Sequence, residues 1–142
     1  MHKYEELRVY QRALDLVALV YRGTASWPAD ERFGLTSQVR RAATSIVLNI
    51  TEGAGAGSDA EFAKFLRYSL RSKYEVMAGI DIAVRIGLIA ESDAPPMRTE
   101  AEAVATMLVG LIRSLSPATK EAATTTVDGS RYSMTSAADP RP

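Results

Sequence analysis

The sequence predicts an all-α chain folded as an antiparallel up-and-down four-helix bundle, followed by a disordered C-terminal tail. Three observations carry this. Apolar residues recur at alternating spacings of three and four in four separate stretches, short breaker-rich links divide those stretches, and the last segment nearly lacks large aliphatic residues. A chain of 142 residues can build one domain with a real core but not two comfortable ones. The bundle is expected at residues 1–116 and the tail at 117–142.

In the first stretch Leu7, Tyr10, Leu14, Val17 and Tyr21 form the expected seam of a packed helix, which Trp27-Pro28 ends. Asp30 is placed to cap a short turn through "ERFG", and Leu35, Val39, Ala42, Ile46 and Ile50 make the second seam. "GAGAG", residues 53–57, interrupts it. Ser58 stands three before Glu61, the spacing of a capping box, and opens a third helix whose buried face is Phe62, Phe65, Leu66, Ser69, Val76, Ile80 and Ala83. Gly87 is its expected stop. After "ESDAPP", Thr99 can cap a fourth helix with the seam Val104, Leu108, Leu111 and Leu115, closed by Ser116-Pro117. Four helices joined by short links pack as antiparallel neighbours.

From Pro117 onward "SPATKEAATTTVDGSRYSMTSAADPRP", read from Ser116, is rich in Thr, Ser, Ala and Pro, too polar to bury the surface that ordering requires. It is read as an unstructured terminus, with Tyr132 and Met134 as the residues a partner could take up.

Composition removes several functions. With no cysteine, disulfides, thiolate catalysis and cysteine-based zinc sites are excluded. No apolar run approaches the ~20 residues a membrane-spanning helix needs, and the charged start "MHKYEELRVYQRA" is unlike a signal peptide, so a cytoplasmic location is expected. Lys and Arg together number 17, as do Asp and Glu, so any attraction to nucleic acid must come from a local patch. The single histidine, His2, cannot supply the Glu-x-x-His pairs of a di-iron bundle, nor an arginine–histidine ribonuclease pair. No metal, cofactor or enzymatic activity is expected.

On the second helix Gln38, Arg41, Ser45, Asn49 and Glu52 follow one another at three, four, four and three, a single polar ridge beside the apolar seam. It can be a catalytic row, a nucleic-acid surface, or a hydrogen-bonded network fixing register between helices or subunits. Ser45 has no evident activating base, which weighs against catalysis. Partly buried polar side chains tend to serve packing specificity, and on the network reading Arg41 and Glu52 are structural partners. Lys64, Arg67 and Arg71 share a face of the third helix, and Arg40 is expected on the exposed side of the second. Such a stripe can meet phosphates along a strand, or it can be a solvated face balanced by Asp59, Glu61 and Glu75. No interleaved aromatic platform is evident beside it. "GAGAG" lacks the preceding strand and following Lys-Ser/Thr of a phosphate loop and reads as a hinge.

The segments "YEELRVYQRALDLV", "GLTSQVRRAATSIVLNITEG" and "EFAKFLRYSLRSKYE" resemble the small bacterial four-helix bundle proteins associated with intervening sequences in large-subunit ribosomal RNA genes. The accessory variability protein of diversity-generating retroelements is similar to this group. The resemblance spans about residues 4–89 and is densest in the order "GL-SQ-RRA--SI--NI-EG", matched by Gly34, Leu35, Ser37, Gln38, Arg40, Arg41, Ala42, Ser45, Ile46, Asn49, Ile50, Glu52 and Gly53. It implies a four-helix protomer assembled into a ring, usually a pentamer, without recognised enzymatic activity. In the retroelement branch it implies a reverse-transcriptase partner and a nucleic-acid surface. This chain has Val47 where relatives often carry proline, and "AGAGSD" where they carry an aromatic with basic residues.

Two functions stay open on the sequence. One is a non-enzymatic homo-oligomeric scaffold that binds RNA or DNA, or a nucleic-acid enzyme, through basic faces. The other is a structural or protein-interaction oligomer with no nucleic-acid role. Assembly is expected because Val9, Ala13, Val20, Val47, Leu48 and Leu70 fall off the main seams, where a monomer would leave several of them in water.

Overall fold

The computed structural model describes residues 2–117. The expected tail therefore lies outside the described residues except for Pro117. Four helices, α1 (Arg8–Thr24), α2 (Leu35–Ala54), α3 (Asp59–Arg85) and α4 (Pro95–Ser114), are joined by short 3-10 turns and tight links. No strand occurs among the described residues.

Every neighbouring pair runs antiparallel, and the cross-helix contacts show it. The end of α1 meets the start of α2 through Arg40 and Thr24, and Ser69 and Ser72 of α3 bond back to Ile46 and Ser45 of α2. Three ion pairs fix α4 against the other two helices beside it. Arg12 grips Glu100 with both Nε (2.7 Å) and Nη2 (3.2 Å), Arg98 meets Asp81 at 2.8 Å, and Lys73 meets Glu102 at 2.7 Å. The hydrogen bonds to Glu100, and then its charge, raise the pKa of Arg12, so that cation never titrates in the working range. The helices thus close an up-and-down bundle around Leu16, Ile46, Ile50, Phe62, Leu66, Ile80 and Leu108, all fully buried. Each such side chain contributes about 1.5–3 kcal/mol through removal from water.

The link chemistry decides where the helices stop. Ser58 caps α3, its hydroxyl accepting from the Glu61 N–H at 3.1 Å. At the far end Gly87 takes φ +82°, a region open to glycine because it has no Cβ. The Gly87 N–H bonds to the Val84 carbonyl and the Leu88 N–H to the Ala83 carbonyl, the pair of bonds of a Schellman motif. Three expected features differ. Asp30 lies inside the turn Ala29–Glu31 and caps nothing. Its neighbour Glu31 caps α2 instead, accepting from the Leu35 N–H at 3.1 Å. The fourth helix begins at Pro95, before Thr99, because proline at a first helical position lacks only an N–H that would have been orphaned there.

The third difference is the face of α1. Its buried residues are Val9, Ala13, Leu16, Val20 and Thr24, while Leu14 and Tyr21 of the expected seam are 38% and 45% exposed. Two overlapping series of three-and-four spacing exist in this helix. The one carrying small Ala13 faces inward because α1 sits between α2 and α4, leaving Tyr10 and Val17 half-buried at its edges. Val9, Ala13 and Val20 are therefore core residues and say nothing about assembly, and Val47 and Leu70 are half-buried against the same core. Leu48 remains exposed. Thr24 is tolerated in the interior because its hydroxyl donates to the Val20 carbonyl at 2.8 Å.

α2 and α3 also approach closely at Gly53, which belongs to the last turn of α2 and not to the break that follows it. A Cβ there would lie 2.7 Å from Phe65 Cβ and 2.9 Å from Phe62 Cδ2. Phe65 Cβ cannot swing aside, so the helices must separate. Gly53→Ala is expected to destabilise by about 1–2 kcal/mol, the cost of overpacking reduced by alanine's better helix propensity. A lowered urea midpoint at unchanged slope is the readout; a raised midpoint would show that the helices yield freely.

Candidate nucleic-acid interface and the α2–α3 polar seam

The exposed face near the start of α3 brings Lys64, Arg67 and Arg71 together, as the helical period requires. All three are exposed, and none forms an ion pair among the described residues. Asp59 lies 3.5 Å from His2 Nε2, and neither Glu61 nor Glu75 pairs with the stripe. The three cations span roughly 10 Å along the helix at its rise of ~1.5 Å per residue.

Within this stripe lies an aromatic ring that the sequence reading passed over. Lys64 Nζ stands 6.0 Å from the Tyr68 ring centroid and Arg71 Cζ 5.7 Å from it. Phe65 holds the ring edge-on at 5.7 Å and 89°. Tyr68 is half-buried, so one part of the ring is anchored while the rest belongs to the cationic surface. Its position four after Lys64 and three before Arg71 was the available signal. Cations set around a fixed ring can contact backbone phosphates and offer a base a stacking surface.

Arg40 is not part of this face. It lies on the first half of α2, half-buried against α1, where its Nε donates to Thr24 Oγ1 at 2.9 Å and its Nη2 to the Tyr21 carbonyl at 3.5 Å. Its guanidinium stacks 4.5 Å from the Tyr21 ring centroid. The expectation of an outward Arg40 fails because that position turns toward the end of α1, whose terminal carbonyls attract a cation.

The polar ridge of α2 divides into two parts. Ser45 and Asn49 are half-buried: Ser45 is bonded to α3, its Oγ accepting from Ser72 Oγ at 2.9 Å, while Asn49 Nδ2 donates within α2 to the Ser45 carbonyl and hydroxyl at 2.9 and 3.0 Å. Ser69 donates to the Ile46 carbonyl at 2.8 Å in the buried interior. These small residues let two helices come close while every polar group finds a partner. Gln38, Arg41 and Glu52 remain exposed. Arg41 and Glu52 do not form the expected pair within the protomer, because eleven residues of helix hold them roughly 16 Å apart along the axis.

Lys73 was also missed. Its side chain is buried, and its ammonium reaches Glu102 and the Tyr74 ring. Because Glu102 is 58% exposed, water supports the pair from one side. No cluster able to hold a metal ion occurs among the described residues. None of their helices is long and apolar enough to cross a membrane.

The comparisons with known proteins agree with this architecture. The family model described as 23S rRNA-intervening sequence protein matches residues 5–110. The chain belongs to that family. Among solved structures the intervening-sequence bundle is similar to a protein of unknown function from the S23 ribosomal protein family of Bacteroides thetaiotaomicron, with a TM-score of 0.66 at 21% identity. That match covers 73% of this chain and 97% of the other, and at such identity it shows the fold alone. No curated protein matches the chain.

Proposed function

We propose that this intervening-sequence bundle is a non-enzymatic cytoplasmic scaffold that assembles with copies of itself into a ring, with a pentamer as the expected size. It binds RNA or DNA, or a nucleic-acid enzyme such as a reverse transcriptase, through the α3 face repeated around the ring. The observation that carries the reading is the set of three exposed cations, Lys64, Arg67 and Arg71, without an ion pair among the described residues, with Lys64 and Arg71 set against Tyr68. Glu61 and Glu75 stand within one turn of the stripe but close no ion pair with it among the described residues, which leaves the cations free to meet phosphate. Repeating a weak phosphate-binding stripe in each subunit converts it into a multivalent surface. With no groove-reading element, such a surface discriminates little between sequences.

Fluorescence anisotropy with short RNA and DNA strands is expected to show binding at low salt that weakens steeply toward physiological salt. Absence of binding even at low salt would favour the second reading, a purely protein-interacting oligomer. One observation supports that alternative: the groove between α2 and α3, with Leu35, Val39, Ala78 and Ile82 as apolar walls and Gln38 and Glu75 as polar ones, a mixed surface suited to protein.

A further inference from the structure

At the opposite end of α3 from Lys64, where α1 turns into α2, a recess of about 370 Å³ has a composition that the scaffold reading does not use. Its wall includes two arginines, Arg32 and Arg40, and no carboxylate. Arg40 is already oriented by its bonds to Thr24 and the Tyr21 carbonyl, which leave Nη1 without a hydrogen bond among the described residues. The guanidinium of Arg32 is exposed and makes no ion pair among them. Thr36, from the first turn of α2, completes the polar side. It is 8% exposed, and its hydroxyl is the one buried side-chain polar atom with no partner among the described residues. Trp27 and Pro28 form the apolar wall.

A buried hydroxyl without a partner is a cost that folded proteins ordinarily avoid, so its persistence beside two cations calls for an acceptor. We propose that this recess binds a small organic phosphate monoester, Arg32 and Arg40 holding the phosphate oxygens, Thr36 Oγ1 donating to one of them, and Trp27 and Pro28 packing the apolar body. Donors that approach from the turn and from two positions on α2 suit a tetrahedral oxyanion. A planar carboxylate would be satisfied by one guanidinium alone. The volume falls within the ~300–1,000 Å³ typical of small-ligand pockets. This site is independent of the α3 face and stands or falls apart from it.

Trp27 is the sole tryptophan of the chain and lines the recess, so its emission reports occupancy directly. Titration with phenyl phosphate is expected to give a saturable change in Trp27 fluorescence, with inorganic phosphate binding more weakly because it lacks the apolar body. Arg32→Ala and the volume-conserving Thr36→Val should each weaken phenyl phosphate about tenfold while the helical circular dichroism is retained. Sodium chloride at matched ionic strength should produce no such change. The proposal is overturned if chloride reproduces the change, if both variants bind like the parent protein, or if phenyl acetate binds as tightly as phenyl phosphate. Displacement of phenyl phosphate by a lower concentration of a short single-stranded oligonucleotide would assign the recess to a nucleic-acid backbone and overturn the small-molecule assignment.

Discussion

Replacing Lys64, Arg67 and Arg71 together by alanine is expected to weaken RNA and DNA alike by about 100-fold or more at low salt, since three exposed phosphate contacts are lost from every subunit. The slope of log affinity against log salt should flatten by about 2 for each subunit the strand engages, the counterion release that three contacts supply on a single strand. Because all three residues are exposed and unpaired among the described residues, the melting temperature should hardly move. Tyr68→Leu separates stacking from charge: it should lower affinity while leaving the salt slope nearly intact. A triple variant that binds like the parent protein would remove the α3 face from the account.

The second large effect concerns assembly. Phe33 is 91% exposed two residues before Leu35, and Ile82 and Ile86 at the end of α3 are 49% and 55% exposed. Leu35 and Ile82 share the wall of one groove, so this end of the α2–α3 face is an apolar surface that water penalises. Size exclusion with light scattering is expected to give a multiple of the 15.4 kDa chain. Ile82→Asp combined with Ile86→Asp should reduce it to the protomer, because burying two carboxylates against an apolar partner is prohibitive unless they are paired. Both positions are exposed in the protomer, so the variant should keep its helical circular dichroism. A parent protein that is monomeric at micromolar concentration, or a variant that keeps its mass, would contradict the interface.

How far the sequence could lead is visible residue by residue. Helix ends marked by local chemistry were legible, because a Ser58 hydroxyl reaching its own first turn and a Gly87 backbone at positive φ involve only neighbours in the chain. The seams of α2, α3 and α4 were legible in the main from apolar periodicity, though Leu35, Phe65 and Leu111 are half-buried at their edges. What failed depended on tertiary packing. Two apolar series compete in α1, and only its position between α2 and α4 selects the one with Ala13. Arg40 reads as a surface cation until the end of α1 is laid across it. Lys73 sits among buried positions with no hint in α3 that Glu102, on another helix, accepts its charge. Tyr68 is a different case, since its spacing from Lys64 and Arg71 was present in the sequence and could have been weighed. The polar ridge read from periodicity on α2 splits in burial, and Ser72 on another helix, not the spacing, is what engages Ser45 while Gln38, Arg41 and Glu52 stay exposed.

Assembly and nucleic-acid binding are tested in one spectrum by native mass spectrometry of the protein mixed with a short single-stranded RNA at low salt. A single dominant multiple of the 15.4 kDa protomer carrying RNA is expected, with RNA lost from the intact assembly as salt is raised. Free protomers, or an assembly that carries no RNA at any salt concentration, would contradict it.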